Sequence, residues 1–173
     1  FGKALGNGYA ITAIIGKKEV MDIAQDTFIS STFWTERIGP TAAIKTLEEM
    51  EKINSWKIIT STGNQIRKSW QKIAKRNNLD IEISGIPALS SFSIKSKDWI
   101  KYKTFITQEM LKSNILASNA IFVCTKHTKR KLDDYFSKLD EIFKKISDFE
   151  NKSKDLDNAL ETEPSQVGFK RLN

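Results

Sequence analysis

Residues 1–8 read Phe-Gly-Lys-Ala-Leu-Gly-Asn-Gly, and an apolar run from Tyr9 to Ile15 follows them. The glycines allow the backbone to approach a flat, phosphorylated ring closely, because they carry no Cβ atom. The amine of Lys3 can form a Schiff base once it is partly desolvated and deprotonated. The stretch is therefore a suitable setting for a covalently bound cofactor, although a Gly-Lys pair more often marks a solvated turn.

The same stretch excludes two better-known glycine loops. A Walker loop places its lysine after the last glycine and follows it with Ser or Thr, whereas Lys3 precedes both Gly6 and Gly8. A dinucleotide-binding loop needs a third glycine and a preceding strand. Neither kind of nucleotide site is indicated.

A second polar motif, Ser30-Ser31-Thr32, stands before a predicted helix. Such residues commonly form a turn and cap the helix that follows. Hydroxyl groups and free N–H groups ahead of a helix also suit a bound anion, so a phosphate site is the functional alternative.

The segment from Gly2 to Tyr9, continued through Gly16–Met21, resembles the surroundings of the cofactor lysine in class III aminotransferases. These are pyridoxal-phosphate enzymes, and the group includes the glutamate-1-semialdehyde aminomutases. The match extends more loosely to about Ile146. The resemblance implies an α/β protein, the C-terminal portion of a fold-type I enzyme, which binds pyridoxal 5'-phosphate. It also implies that Lys3 is the catalytic residue and holds the cofactor.

The resemblance further implies that Thr32 binds the cofactor phosphate of a neighbouring subunit, so the active unit would be a homodimer. This position follows from aligning Thr41–Leu47 with the small-residue helix of the family. Residues 33–37, Phe-Trp-Thr-Glu-Arg, depart from the commoner Ser-Gly-Asn-Pro turn. In the family, the phosphate cup, the ring-stacking aromatic and the aspartate that faces the pyridine nitrogen all lie upstream of the lysine. We therefore expect the chain alone to be inactive.

The order of predicted elements divides the chain into four parts. Residues 1–34 would end the large domain, with Tyr9–Ile15 as a buried strand, and residues 35–79 would form connecting helices. Residues 80–148 show two strands, a helix, a strand from Ala120 to Thr125 and a last helix from Thr128, which together predict a small α+β domain. Residues 149–173 are polar and predict a linker or mobile tail.

The chain of 173 residues has a net charge of +7, which raises the possibility of nucleic-acid binding. Only five of the 28 basic residues are arginines, and the lysines are scattered among acidic residues. Nucleic-acid sites instead tend to group arginines and aromatics on one face, so we expect no such partner.

The remaining reactive residues predict no further chemistry. His127 is the only histidine and has no partner at metal-ligand spacing, so a structural loop histidine and no metal site are expected. Cys124 falls within the predicted apolar strand, and a single cysteine permits no internal disulfide and fits a cytoplasmic protein. No apolar run is long enough for a membrane helix.

Two rival functions remain open beside the enzyme. The chain could be a non-catalytic interaction or binding protein on the same fold, in which Lys3 does no chemistry, or it could be a basic binding module. Within the enzyme class, the sequence does not separate transamination from an intramolecular amino shift. The expected substrate is a small amino donor or amino-aldehyde.

Overall fold

The computed structural model describes residues 1–29, 32–33, 35–152, 154–166 and 168. Its chain forms two compact units, Phe1–Trp56 and Lys57–Asn173. The described helices and strands follow in order: α1 (Lys18–Met21), α2 (Ile38–Lys52), α3 (Ser55–Arg76), β1 (Ile81–Ile86), β2 (Leu89–Ile94), α4 (Trp99–Lys112), β3 (Ala120–Phe122) and α5 (Lys129–Glu150). None of the helices described is long and apolar enough to cross a membrane.

The second unit contains an antiparallel sheet in the order β1-β2-β3. Strands β1 and β2 form a hairpin in which Ile81 is opposite Ile94 and Ile86 is opposite Leu89. Buried and partly exposed residues alternate along β2, as expected for a sheet with one covered face. The predicted hairpin is confirmed. Strand β3 ends at Phe122, so Cys124 is not in a strand as predicted but lies exposed beyond it.

Aromatic side chains from three elements meet in the core of this unit. The ring of Phe92 on β2 lies 4.9 Å from Trp70 and 5.6 Å from Phe143, both with edge-on geometry. The indole N–H of Trp70 donates to the hydroxyl of Tyr135 over 2.9 Å. Since Trp70 is fully buried, this hydrogen bond satisfies a donor that water cannot reach. Trp70 is thus a packing residue, whereas Trp56 is 48% exposed.

Helix α5 buries one continuous stripe, which the helical spacing of its apolar residues predicts. Leu139, Ile142, Phe143 and Ile146 have no exposed surface, while Phe136 is only partly buried. The stripe packs in the same core as Ile66 and Ile106 from other helices. The small α+β architecture of this unit is therefore confirmed.

Gly63 lies inside the continuous helix α3, at a point of close packing. A Cβ atom at this position would lie 2.0 Å from the carbonyl oxygen of Pro87 in the β1–β2 turn. Glycine weakens a helix interior by about 1 kcal/mol relative to alanine, but here it permits the helix and the turn to touch.

The first unit departs most from the sequence prediction. Tyr9–Ile15 is not assigned to a strand, and Tyr9, Ile14 and Ile15 are 60%, 66% and 71% exposed. The segment has no sheet beside it among the described residues, and a strand exists only with a hydrogen-bonded neighbour. Helix α2 lies within the range predicted for connecting helices, and it buries Ala43 while Leu47 remains 55% exposed.

Residues 154–166, termed the C-terminal segment below, lie against α4. The side-chain amide of Gln108 donates to the carbonyl of Ala159 over 3.0 Å and its oxygen accepts the N–H of Glu161 over 2.9 Å. Leu156 and Leu160 pack against the core. A few apolar residues and backbone hydrogen bonds thus attach a segment of polar composition, and its mobility stays a prediction.

Candidate functional site

The loop that carries Lys3 is a tight turn closed by its own backbone. Residues Lys3–Leu5 form one turn of 3-10 helix, and the N–H of Tyr9 donates to the carbonyl of Gly6 over 3.0 Å. The N–H of Ala13 donates to the carbonyl of Phe1 over 2.8 Å, which ties the two ends of the loop together. Gly8 has a φ of 108°, a conformation that favours glycine.

Lys3 itself has a φ of 47°, in the left-handed region that residues other than glycine seldom adopt. Lys152 also has a positive φ, but it follows the end of α5, where such a conformation commonly closes a helix. No helix ends at Lys3. Strained backbone of this kind is concentrated at functional sites, where the surrounding structure holds it in place.

Lys3 lines a cavity of about 780 Å³ in the first unit. Tyr9 and Phe33 supply aromatic surface, while Thr12, Thr32 and Glu36 supply polar groups. Mixed linings of this kind and volume are typical of cofactor and small-molecule sites. The cavity thus brings together the two site residues that the sequence predicts, Lys3 and Thr32.

Thr32 is the described member of its triplet and has an exposed side chain. Ser30, Ser31 and Trp34 lie outside the described residues. Thr32 and Lys3 line the same cavity of a single chain. The resemblance instead implies that Thr32 serves the neighbouring subunit, and the two assignments lead to different outcomes in the experiment below.

A carboxylate occupies the first N–H groups of α2. The carboxylate of Glu36 accepts hydrogen bonds from the N–H groups of Ile38 and Gly39. Its distances to the Gly39 nitrogen are 3.1 and 3.2 Å. Glu36 therefore caps the helix and satisfies donors that a phosphate would otherwise use. Sequence reasoning did not single out Glu36.

Gly39 holds the start of α2 against the loop that carries Lys3. A Cβ atom at this position would lie 2.7 Å from the carbonyl oxygen of Ala10 and 3.2 Å from the Cβ of Ile11. Ala10 and Ile11 both line the cavity. A larger residue at position 39 would push the helix away from this wall.

His127 has a structural contact, as predicted for a loop histidine. Its Nδ1 atom accepts the N–H of Cys124 over 2.9 Å, just before α5 begins. Within the part of the chain that is described, no three His, Cys, Asp or Glu residues are grouped to hold a metal ion.

The Lys3 cavity offers part of what pyridoxal phosphate requires. It holds one primary amine, which can bond an aldehyde carbon, and threonine hydroxyls, which can donate to phosphate oxygens. Its volume exceeds that of one small aromatic ring with a phosphate. The donor set of Lys3 and Thr32 fits the aldehyde and the phosphate of this cofactor.

No family model matches the chain. The chain is 30% identical over 138 residues to the 3-aminobutyryl-CoA aminotransferase of Cloacimonas acidaminovorans, a match that covers 76% of this chain and 33% of that protein. It is 25% identical over 150 residues to the glutamate-1-semialdehyde 2,1-aminomutase of Methanosphaera stadtmanae, with 77% of this chain and 35% of that protein covered. The chain thus spans about a third of the length of the curated relatives it matches.

Solved structures show the same fold. The internal aldimine form of the FumI protein of Sphingopyxis sp. MTA144, which contains PLP, superposes with a TM-score of 0.76 at 22% identity. That match covers 86% of this chain and 37% of the other. A transaminase with PLP bound gives a TM-score of 0.71 at 16% identity. That match covers 84% of this chain and 37% of the transaminase chain. The predicted fold class is confirmed.

Proposed function

Because the chain is similar to a C-terminal part of the class III pyridoxal-phosphate-dependent aminotransferases and aminomutases, we propose that it carries the cofactor lysine of such an enzyme. The observation that supports this most is the cavity shared by Lys3 and Thr32. Lys3 is the proposed covalent anchor, and Thr32 is the proposed phosphate ligand. When bound, the cofactor supplies the electron sink for reactions at an amine-bearing carbon.

Lys3 would perform two tasks in the proposed reaction. Its amine would hold the cofactor by the aldehyde carbon in the resting site, and it would be free once a substrate amine takes that position. The free amine could then take a proton from the substrate carbon and return it elsewhere, so one group would serve as general base and general acid. The tight turn around Lys3 would limit where that amine can travel.

The walls of the cavity would hold and orient the ring. Tyr9 and Phe33 offer apolar surface, and the Thr32 hydroxyl can donate to a phosphate oxygen. A hydrogen bond to a charged group is shorter and stronger than one between neutral groups. Thr32 would therefore contribute mainly to cofactor affinity, and Lys3 mainly to the chemistry.

The proposal also covers the domain organisation of the chain and the assembly of the complete enzyme. It divides the chain into the end of a large domain (1–34), connecting helices (35–79), a small C-terminal domain (80–148) and a tail (149–173). It places the rest of the cofactor site in an upstream part, so this chain alone would not turn over substrate. We further propose that the complete enzyme is a homodimer, that it works in the cytoplasm, and that its substrate is a small amino donor or amino-aldehyde.

A heterodimer experiment tests the roles of Lys3 and Thr32 together, in the complete protein. One subunit carries Lys3→Ala and the other carries Thr32→Val, and two affinity tags allow the mixed dimer to be purified. If Thr32 acts across the interface, the subunit with intact Lys3 receives an intact Thr32 from its partner. Cofactor titration should then show one site of wild-type affinity per dimer.

The matched control places both substitutions in one subunit beside a wild-type partner. Here the result is reversed, because only an own-chain Thr32 would leave one undamaged site. Each damaged but lysine-containing site should bind cofactor roughly ten- to a hundredfold more weakly, the worth of one charge-assisted hydrogen bond. Wild-type affinity in the Lys3-containing sites of both heterodimers would refute the role of Thr32.

A further inference from the structure

We propose that one face of α4 is a docking surface for an acidic peptide, and that the C-terminal segment occupies it as a detachable strap of the same chain. The contacts concerned lie within the second unit and do not involve the Lys3 cavity. The strap would leave α4 while the rest of the unit stays folded, and a second acidic peptide would then take its place.

The segment and the helix carry opposite charges. Helix α4 contains three lysines and a single acidic residue, Glu109, whose carboxylate is already bound by Lys112 and Lys145. Residues 155–166 contain no basic residue and four acidic ones, Asp155, Asp157, Glu161 and Glu163. An acidic peptide is therefore the partner that this face of α4 fits.

Two ion pairs join the segment to the helix. The ammonium group of Lys101 lies 2.5 Å from the carboxylate of Asp157, and that of Lys112 lies 2.5 Å from the carboxylate of Glu161. The four side chains are 33% to 70% exposed, so dissolved salt reaches both pairs and screens them. An ion pair of this kind shifts an equilibrium by no more than about fivefold. The electrostatic attachment is thus weak and responds to salt.

Side chains of α4, rather than backbone, hold the backbone of the segment. Gln108 binds the carbonyl of Ala159 and the N–H of Glu161, and the hydroxyl of Thr104 accepts the N–H of Ser165 over 2.8 Å. In the described part of the second unit, no backbone-to-backbone hydrogen bond joins the segment to a helix or strand. Detachment therefore breaks no hydrogen bond of a helix or of the sheet.

The segment also packs incompletely. Leu156 and Leu160 pack against the core and are only partly buried, and none of residues 154–166 is fully buried. Three cavities of about 470, 460 and 430 Å³ are lined jointly by the segment and by residues of α4. Gaps of this kind forfeit van der Waals contacts, and segments with few buried apolar contacts open locally before the core does.

Hydrogen exchange of the complete protein tests the strap, with mass spectrometry of peptides that cover residues 154–166. These peptides should be protected at low salt. Their exchange should accelerate as the salt concentration rises from about 0.1 M to about 1 M, because the screening length falls from about 10 Å to about 3 Å. Peptides from the buried stripe of α5 should keep their protection. A strap that is unprotected at low salt, insensitive to salt, or lost only together with α5 would overturn the proposal.

A charge exchange identifies the contact. Lys101→Glu should speed the exchange of the strap about three- to 25-fold, because it removes an ion pair and creates a like-charge pair of similar size. Asp157→Lys should do the same, and the double variant should return to within about twofold of wild type. The matched control is Lys129→Glu, which breaks an exposed Lys–Asp pair on α5 and should leave the strap unchanged. Protection of α5 reports the folding of each variant, and a double variant without rescue would contradict the ionic attachment.

A free peptide with the sequence of residues 154–166, labelled with heavy isotopes to distinguish it from the protein, tests the docking surface. Above the millimolar effective concentration of a tethered segment, it should displace the strap and speed the strap's exchange. The same peptide with amides in place of its four acids should not compete. Equal competition by both peptides would show that α4 does not recognise charge, and competition by neither would show that the surface does not exchange its occupant. Either result would overturn the proposal.

Discussion

Lys3 stands out in the sequence because glycines surround it, whereas Glu36 does not stand out at all. A glycine-flanked lysine has a local pattern that can be compared with known cofactor loops. The role of Glu36 depends on where the N–H groups of Ile38 and Gly39 point, and these directions are set by the packing of Gly39 against Ala10. Single-residue patterns predicted the first residue and could not predict the second.

Glu109 is another residue whose surroundings are invisible in the sequence. Its side chain on α4 is buried, and it receives hydrogen bonds from Lys112 at 2.8 Å and from Lys145 of α5 at 2.5 Å. Burial alone would raise the pKa of the Glu109 carboxyl, but the hydrogen bonds from Lys112, Lys145 and Gln108 outweigh it and lower the pKa to about 2.

This shift predicts a pH dependence of stability. The carboxyl of the unfolded chain has a pKa of 4.5, above that of the folded chain, so its contribution is complete above pH 4.5 and is lost as the pH falls toward 2. Glu109→Gln should lower the free energy of unfolding at pH 7 by about 1.5–3 kcal/mol, because hydrogen bonds to charged groups are worth that much. It should also flatten the decline between pH 4.5 and 2.

The measurement is denaturant unfolding at a series of pH values. Glu141→Gln is the control, since Glu141 is an exposed partner of Lys138 and should change stability by less than about 0.5 kcal/mol. An identical decline in stability below pH 4.5 for wild type and Glu109→Gln would contradict the depressed pKa.

At the scale of elements, the regular spacing of apolar residues predicted the helices and strands of the second unit. The sequence shows the spacing of the buried side chains in helices α3, α4 and α5 and in strands β1 and β2. Each of these elements buries one face against a core that the chain itself supplies. Tyr9–Ile15 has an equally apolar sequence and forms no strand. A strand depends on neighbours, which a local pattern does not contain.

The contacts of the C-terminal segment are not visible in its composition. Its composition is polar, yet Gln108, Lys101 and Lys112 of α4 bind its backbone and its carboxylates. Composition alone does not reveal attachment by side chains that lie some fifty residues earlier. Such long-range contacts are the part of the fold that sequence reasoning missed.

The stripe of α5 gives a prediction for this element. Leu139→Ala removes a fully buried side chain and should lower the free energy of unfolding by roughly 2–5 kcal/mol, as large-to-small core substitutions do. Lys138→Ala, one residue away, removes a solvent-accessible ion pair with Glu141, whose side chain is 61% exposed, and should stay within about 0.5 kcal/mol. Chemical denaturation compares the two variants. Equal losses would show that the buried face of the helix is misassigned.

At the scale of the whole molecule, the two units contribute differently. The second unit buries a continuous core of aromatic and aliphatic side chains. The first unit leaves many large apolar side chains exposed, among them Phe28 at 98% and Ile15 at 71%. It also contains the Lys3 cavity. A chain that spans a third of its relatives' length is consistent with a site whose remaining walls come from elsewhere in the proposed enzyme.

The proposed covalent attachment of pyridoxal phosphate to Lys3 can be tested directly. The complete protein is loaded with pyridoxal phosphate and reduced with borohydride, which makes a lysine Schiff base permanent, and the digested peptides are then mapped by mass spectrometry. We expect the phosphopyridoxyl group on the peptide that contains Lys3, and no labelled peptide from that position in Lys3→Ala. A label found only on other lysines, or no label at all in protein that has bound the cofactor, would contradict the assignment of Lys3.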